Sequence, residues 1–402
     1  MTNFKRVLWL LMINLLILPV LAWGGDQAFM IKGIRPIAMG GTFTAIADDA
    51  NAYFYNPAGL TQIQKWQLQI ASLPVTISND TKELYNWWSD NQTELEKFDE
   101  QSYDTQVRLM NDITDQVSKL KVHVSSSLLN PNFISGPIGL SNNLKLNFGI
   151  GLFSLIDVRV GINNGLLVPN VDMTGSVDVV GMVPLAFKME KTPFDLPGSL
   201  SLAGTIKVLR RGRIEELRKS VLEFEDFDPA VQYGHGFGLD FGSLYQLNEQ
   251  WNFGLMVGDI FGTPVTYDKT ESNNIDKPET TDVINPRVNA GVAFRPKNLY
   301  YWKNKFLPLK NHWVFAADIT DITNTDEKLV GASFFKKLHL GAEYQTKMLS
   351  FRGGFNSGYP SFGFGLNLWL LKLDYAFYGE ELGLYAGQIA EWNHMVALSI
   401  GF

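Results

Sequence analysis

From Val122 to the end of the chain, hydrophobic and polar positions alternate with a period of two in one segment after another. In NNLKLNFGIGLF, Leu144, Leu146, Phe148, Ile150 and Leu152 share one parity, while Lys145, Asn147, Gly149 and Gly151 share the other. The first parity continues through Val158, Val160 and Ile162, which makes 143–162 one long strand. Leu200, Leu202, Ile206 and Val208 alternate with Ser199, Ser201, Thr205 and Lys207 in the same way. So do Phe237, Leu239, Phe241 and Tyr245 with Gly236, Gly238, Asp240 and Gly242. Trp251, Phe253, Leu255 and Val257 repeat the design, as do Phe362, Phe364, Leu366 and Leu368. Successive side chains of a strand point to opposite faces, so each segment has one apolar face and one polar or glycine face. Apolar-out and polar-in, sustained over many strands, is the dyad pattern of a transmembrane barrel.

Counting such segments predicts about 14 antiparallel strands, near 66–78, 122–134, 143–162, 174–189, 199–211, 233–247, 250–268, 285–296, 311–320, 336–346, 349–357, 361–370, 371–379 and 394–402. Connections after odd-numbered strands are mostly long, including 79–121, 163–173, 212–232, 269–284, 321–335 and 380–393. Most of those after even-numbered strands are short, with 297–310 as the exception. Long loops on one side and short turns on the other is the outer-membrane arrangement, with both termini on the periplasmic side.

Three stretches depart from the period of two. Between Asp80 and Lys121, Val107, Met110, Ile113, Val117 and Leu120 recur every three or four residues. That predicts an amphipathic helical insertion, 79–121, broken near Asp99–Ser102 and capping the barrel mouth. Its acidic polar face argues against binding lipid headgroups. Residues 1–22 read as a signal peptide: Lys5 and Arg6, an apolar run Val7–Leu21, and a small-residue cleavage site at Val20-Leu21-Ala22, with cleavage after Gly24 nearly as good. The third stretch, within a segment 23–65, is GIRPIAMGGTFTAIADDANAYFYNPAGLT, from Gly33 to Thr61. It is too rich in Gly, Pro, Asp and Asn for a strand or a long helix, and is read as a plug enclosed by the wall formed by residues 66–402.

Within that plug, Gly40-Gly41 permits a tight turn. Thr42 or Thr44 is placed to start a short helix through the Ala-rich run, and Asp48-Asp49 to begin the next turn. Pro57 holds Asn56 extended. Asn and Asp side chains supply partners for irregular backbone, which survives at membrane depth only inside protein or a water-filled cavity. Asp48 and Asp49 serve as structural groups in preference to metal ligands or an acid/base pair, because no His or carboxylate cluster accompanies them. Arg35, the one cation of the stretch, either pairs with Asp48, Asp49 or a lumen acid, or meets a ligand carboxylate.

Composition sharpens the class. Hydrophobic residues are 46% and charged residues 19%, below the roughly 25% of soluble proteins, while 27 Phe, 14 Tyr and 10 Trp bring aromatics to 13%. No segment after the leader approaches about 18 consecutive apolar residues, which excludes a helical inner-membrane protein. A net charge of −7 argues against nucleic acid as a partner. There is no cysteine, and His123, His235, His312, His339 and His394 have no metal-ligand spacing. No GxSxG, HExxH or Walker motif occurs, so neither a cofactor, a metal nor a catalytic residue is expected. Lys207, Arg210, Arg211, Arg213, Arg218 and Lys219 form a basic cluster at a strand end and the following loop, ahead of Glu223, Glu225, Asp226 and Asp228. It reads as a solvated, partly helical loop, or as a contact for lipopolysaccharide phosphates.

Two motifs carry a resemblance. RPIAMGGTFTAIADDANAYFYNPAGL, with Gly40, Gly41, Asp48, Asp49 and the run Asn56-Pro57-Ala58-Gly59, resembles the N-terminal segment of the FadL-like outer-membrane barrels, the long-chain fatty acid transporter superfamily. The resemblance covers about 27 residues and implies a small hatch, gated at those positions, inside a 14-stranded barrel in a Gram-negative outer membrane. GFGLDFGSLY and NAGVAFRP also resemble the PorV-like and TraF-like relatives. The last nine residues, HMVALSIGF, alternate and end on Phe402, similar to the signal read by the outer-membrane barrel assembly machinery.

The resulting expectation is passive uptake of a hydrophobic small molecule such as a long-chain fatty acid, leaving past the hatch or through a side opening that the resemblance implies. The rival is a secretion- or conjugation-associated barrel that carries a protein partner on 79–121. A plain diffusion porin is disfavoured by the hatch.

Overall fold

In the computed structural model, which describes residues 31–116, 120–163, 170–220, 231–272, 275–297, 312–325 and 331–401, the alternating segments become the staves of one closed wall. The expected signal peptide and Phe402 lie outside the described residues.

The wall strands are β1 (Gln67–Ser78), β2 (Lys121–Ser126, resuming at Asn132–Ile134), β3 (Leu144–Asn163), β4 (Asn170–Met189) and β5 (Ser199–Ser220). They continue as β6 (Val231–Gln246), β7 (Trp251–Gly258, resuming at Thr263–Tyr267), β8 (Thr280–Ile284, resuming at Arg287–Phe294), β9 (His312–Ile319) and β10 (Leu338–Gln345). The last four are β11 (Leu349–Asn356), β12 (Tyr359–Leu368), β13 (Leu371–Glu381) and β14 (Ala390–Gly401). Each strand pairs antiparallel with its sequence neighbours, and β14 returns to β1 with Ser72 opposite Ser399, closing 14 strands into a barrel. Closure removes the unpaired edges that a membrane would not tolerate.

Exposure follows the parity read from the sequence. On β5, Ile206 and Val208 are exposed while Ser201, Ala203, Thr205 and Lys207 are buried. On β12, Phe362 and Phe364 face outward and Ser361 inward. At the short-turn end, Trp251 packs against Phe294 with ring centroids 4.5 Å apart, and Trp313 against Tyr344 at 4.9 Å. At the opposite end Phe377 stacks on Trp392 at 5.3 Å. Aromatic girdles at both ends of an apolar outer face are what the two interfaces of a bilayer select. No helix among the described residues is long and apolar enough to cross a membrane. The strands cross it, and the molecule is an outer-membrane barrel.

Several strands outrun their expected ends on the long-loop side. β5 continues from 211 to Ser220, β4 begins at Asn170, β8 at Thr280 and β14 at Ala390. Hairpin pairing continues beyond the apolar stretch because the backbone ladder does not require alternation once strands leave the bilayer; residues 212–220 of the expected loop are thus strand, and 221–230 lie outside the described residues. Two strands expected to be continuous are broken. In β2, residues 127–131 leave the ladder, with Leu129 (φ 67) and Asn130 (φ 39) in the left-handed region. The gap is closed by backbone bonds, Ser127 N to Pro74 O at 3.1 Å and Leu152 N to Pro131 O at 3.0 Å, and by side chains: Ser154 N donates to Asn130 Oδ1 at 2.9 Å, and Leu128 N to Ser154 Oγ at 2.8 Å. In β7, residues 259–262 bulge out of the ladder, with Phe261 75% exposed.

The insertion after β1 forms two helices, α3 (Asn79–Glu96) and α4 (Tyr103–Asp115), named after the two shorter hatch helices described below. A 3-10 turn at Phe98–Glu100 separates them, and Ser102 Oγ caps α4 by accepting from Thr105 N. Leu109 and Ile113 are buried but Val107 is exposed, so the inner face is centred on Leu109 and Ile113 and not on Val107, Met110 and Ile113 as expected. α3 packs over the ends of β1, β2 and β14.

Candidate functional site: the hatch and the wall that holds it

Residues 31–66 lie inside the barrel as a compact plug. Its two helices are α1 (Ile34–Ala38) and α2 (Ala52–Tyr55), followed by a 3-10 turn at Pro57–Gln62. The helix expected after Thr42 or Thr44 is absent: Thr44–Ile46 is a turn, and Ala47 has φ 32. Thr42 Oγ1 donates to Met39 O at 2.8 Å instead of capping a helix, and Phe43 and Thr44 give their N–H groups to the wall. Gly40 (φ 70) and Gly41 (φ 87) make the expected tight turn. Asp49 does open the next turn, its Oδ1 accepting from Asn51 N at 2.8 Å.

Asn56 is extended at φ −170 before Pro57, as a residue preceding proline must be. Its side chain joins three segments. Oδ1 accepts from Ala58 N at 3.1 Å, while Nδ2 donates to Thr44 O at 2.8 Å and to Ser243 O on β6 at 2.9 Å. Ala58 and Gly59 are buried, and a Cβ on Gly59 would strike Ala47.

The hatch docks on a belt of wall glycines. A Cβ on Gly354 of β11 would lie 2.5 Å from Gly40 N; one on Gly254 of β7 would lie 2.6 Å from Thr44 C; one on Gly242 of β6 would lie 2.8 Å from Pro57 Cδ. Gly341 meets Met39 O in the same way, while Gly149 makes room for the Tyr53 hydroxyl and Gly291 for the Asp318 carboxylate. Real Cβ atoms do not approach this closely, so hatch backbone lies directly against wall backbone here. Polar side chains pin it. Asp318 Oδ2 accepts from both Phe43 N and Thr44 N at 2.8 Å, His339 Nδ1 lies 2.8 Å from Gly40 O, and Asn147 Nδ2 donates to Ile63 O at 3.2 Å. Replacing Gly254 by Val is therefore expected to push residues 43–46 off the wall and raise ion conductance in planar bilayers, with the barrel still heat-modifiable on gels. A sealed Gly254→Val variant would mean the contact does not hold the plug.

Arg35 is the electrostatic hub, only 7% exposed. Its Nε and Nη2 donate to Glu343 at 2.9 and 2.6 Å, and Nη1 reaches Asp48 at 2.6 Å and Asp49 at 2.9 Å. Glu343 also accepts from Arg352 Nε at 2.8 Å, and Arg352 Nη1 donates to Asp374 at 2.7 Å. Arg295 lies 3.5 Å from Asp48, and Lys372 3.3 Å from Asp374. Fork-to-carboxylate pairing is the strongest hydrogen-bonded geometry a buried guanidinium can make. Of the two roles weighed for Arg35, the geometry is that of the internal ion pair.

The lumen is layered. Above the glycine belt, toward the helical insertion, Phe153, Val180, Met182, Leu209, Val265, Tyr267 and Ile284 are all buried in one cluster with hatch residues Ile31, Phe43 and Tyr53, interrupted on β5 and β6 by the buried Lys207 paired with Asp240 and Asp259. Above that comes a charged layer, in which Arg211 Nε donates to Asp178 at 2.7 Å, Arg213 pairs with Asp282, and His123 lies between Asp157 and Glu391. Lys32 reaches this layer from the hatch, 2.6 Å from Glu380.

Hatch contacts also reach the remaining wall: Tyr53 Oη donates to Phe133 O of β2 at 2.8 Å, and Ile34, Ile37 and Ala38 pack with Ala376 and Tyr378 of β13 and Met395 and Ala397 of β14. Against β1, β11–β14 and the break in β2, the hatch leaves a cavity of about 570 Å³. It runs from the short-turn end, at Lys65, Trp66, Lys347 and Trp369, up to Phe54, Asn130 and Phe153.

No protein-family model matches the chain, and no curated protein matches it. Among solved structures, the toluene transporter TodX of P. putida is similar over 92% of this chain and 98% of its own, at 13% identity and a TM-score of 0.47. The toluene transporter TbuX of Ralstonia pickettii gives the same coverages at 13% identity and 0.45. The monoaromatic hydrocarbon channel CymD gives 92% and 96% at 12% identity and 0.47. Likeness this distant adds nothing to what the closed wall and its plug establish by themselves.

The basic cluster does not form one surface. Lys207 is buried against Asp240 at 2.7 Å and Asp259 at 2.6 Å, and Arg211 and Arg213 also point into the lumen. Only Arg210 of these faces outward, 59% exposed at its side chain beside Tyr233. Arg218 and Lys219 lie at the end of β5, and Glu223, Glu225, Asp226 and Asp228 lie outside the described residues. Sequence parity separates Lys207, Arg211 and Arg213 from Arg210. It likewise marks Asp318, Glu343 and Arg352 as lumen charges, a signal that grouping by sequence proximity passes over.

Proposed function

We propose that this barrel is a conduit for hydrophobic small molecules across the outer membrane, closed at rest by residues 33–61. The apolar layer directly above the hatch carries this reading. A general porin keeps a polar, water-filled lumen, whereas here Val180, Met182, Leu209, Tyr267 and Ile284 line the lumen at mid-depth and merge with the plug. Such a layer holds an apolar solute and excludes ions. The layer is packed shut, so passage requires the hatch to yield, and the flank beside the cavity, where apolar side chains of Ile34 and Ile37 pack on β13 and β14, is where it yields at least cost. From there the exits are the short-turn end or the break in β2, where a few backbone bonds and side-chain hydrogen bonds replace the regular ladder.

The test is uptake. Cells lacking the protein should take up long-chain fatty acids and aromatic hydrocarbons more slowly, and the wild-type chain should restore the rate. Unchanged uptake, together with no binding of either class by purified protein, defeats the proposal. An assembly role remains a second reading because the insertion presents bare aromatic side chains: Tyr85 is 65% exposed, Trp88 46% and Tyr103 78%. A protein partner captured in a manner that depends on 79–121 would favour it.

A further inference from the structure

We infer that the charged layer of the lumen is a pH-sensitive latch on the hatch, set by the protonation of His123 and acting on Lys32. This rests on the reading that residues 33–61 close the barrel, and adds what regulates the closure.

Lys32 enters the layer from the start of the hatch. Its Nζ lies 2.6 Å from Glu380 of β13 and 5.8 Å from the ring centroid of Tyr378. That ties the hatch to the flank where it otherwise holds by apolar packing. Glu380 is shared, for Nη2 of Arg159 on β3 lies 3.9 Å away. The same guanidinium places Nε 3.7 Å from Asp157 and Nη1 3.9 Å from Glu391 of β14. His123 of β2 sits between those two carboxylates, with Nε2 3.0 Å from Asp157 and Nδ1 3.2 Å from Glu391. The charged groups facing the ring thus come from β3 and β14. β1 contributes Ser78, whose Oγ accepts from His123 N, and α3 lays Thr81 against that hydroxyl.

Two ring nitrogens that each face a carboxylate suit the imidazolium. A neutral ring carries one N–H and would turn a bare lone pair toward the other carboxylate. The remaining histidines differ. His339 meets the Gly40 carbonyl and the Thr320 hydroxyl, partners that a neutral ring satisfies. His394 meets the Tyr375 hydroxyl, and His235 and His312 are exposed. Histidine changes charge between about pH 5 and 8, and the part-exposed Asp157 gives the buried ring a route to water.

The charges fix the direction of the effect. Asp157, Glu380 and Glu391 attract Lys32, while Arg159 repels it. Protonated His123 adds a second positive charge to this wall and engages Asp157 and Glu391. Loss of that proton frees one of the two for Arg159, which draws the guanidinium from Glu380 and leaves Glu380 more fully to Lys32. High pH therefore tightens the latch, and low pH loosens it.

Planar-bilayer recording of the full-length protein is the test. Lowering the pH from about 8 to about 5.5 should raise the frequency of openings about threefold or more, the effect of one added charge in a partly solvated layer. His123→Gln, which stays neutral, should keep the low frequency at both values. Lys32→Met, which removes the latch and leaves the wall intact, should open often at both. Wild-type openings indifferent to pH, or a full pH response in either variant, would overturn the latch. A response that survives His123→Gln and disappears in His339→Gln would overturn it in favour of the Gly40 contact. Cellular uptake separates this inference from the conduit reading: normal uptake with pH-indifferent openings removes the latch alone, and pH-dependent openings without uptake remove the conduit reading alone.

Discussion

Deleting residues 33–61 is expected to give a barrel that assembles and inserts but passes a steady ohmic current, where the intact protein conducts at background. The wall should survive because its ladder is complete without the plug: strand-to-strand pairing runs from β1 to β14 and back with no hatch residue in it. The seal should not survive, because the residues that dock on the glycine belt, Met39, Gly40, Thr44, Tyr53 and Pro57, all belong to the deleted stretch. What remains there is glycine backbone and charged groups such as Glu343, Asp318 and Arg352, which water will solvate. Planar-bilayer recording on protein that still shows heat-modifiable migration makes the measurement. A deletion variant that is folded and stays closed would show that the lumen is sealed elsewhere.

Replacing Arg35 by Met is the next largest effect. The substitution keeps most of the side chain's length and removes its charge, leaving Asp48, Asp49 and Glu343 to share Arg352 and Arg295. Breaking a buried ion pair from one side typically costs about 3–5 kcal/mol, because the remaining charge is stranded. Here the cost falls on hatch docking and not on the wall. The expected result is frequent opening events in single-channel records and faster proteolysis of residues 31–66, with unchanged thermal stability of the barrel. Adding Asp48→Asn and Asp49→Asn removes two of the stranded charges and should restore much of the closure, a coupling that a double-mutant cycle isolates. An Arg35→Met channel as quiet as the wild type would mean that the network orders the lumen without holding the plug.

The wall was legible because a strand writes its two faces into alternate positions. Ile206 against Thr205, or Phe362 against Ser361, needs no partner to be assigned. The hatch was legible as a location and only partly as a structure. Gly40-Gly41, Asp49 and Asn56-Pro57 act through backbone rules that operate within two or three residues, and they behave as expected. The helix start is different. Thr44 has ordinary capping chemistry, but Asp318, some 274 residues away, takes its N–H. The belt was hidden for a related reason. That Gly236, Gly238 and Gly242 face the lumen follows from parity; that Gly242 receives Pro57 while Gly238 sits against Lys207 depends on strand register and on the path of the plug. The partners of Arg35 divide in the same way. Asp48 and Asp49 lie within reach in sequence, and Glu343 is supplied by a strand more than 300 residues on.

The uneven seating of the hatch also decides what kind of moving part it can be. A stopper held in the same way all around its rim can only be expelled along the barrel axis, breaking all its contacts together. One held by close backbone approach at Gly242, Gly254, Gly341 and Gly354, but by side-chain packing on Ala376, Tyr378, Met395 and Ala397 of β13 and β14, is a hinged leaf. Its softest excursion is a tilt about the glycine contacts, with the gap widening first along the seam where the first and last strands meet.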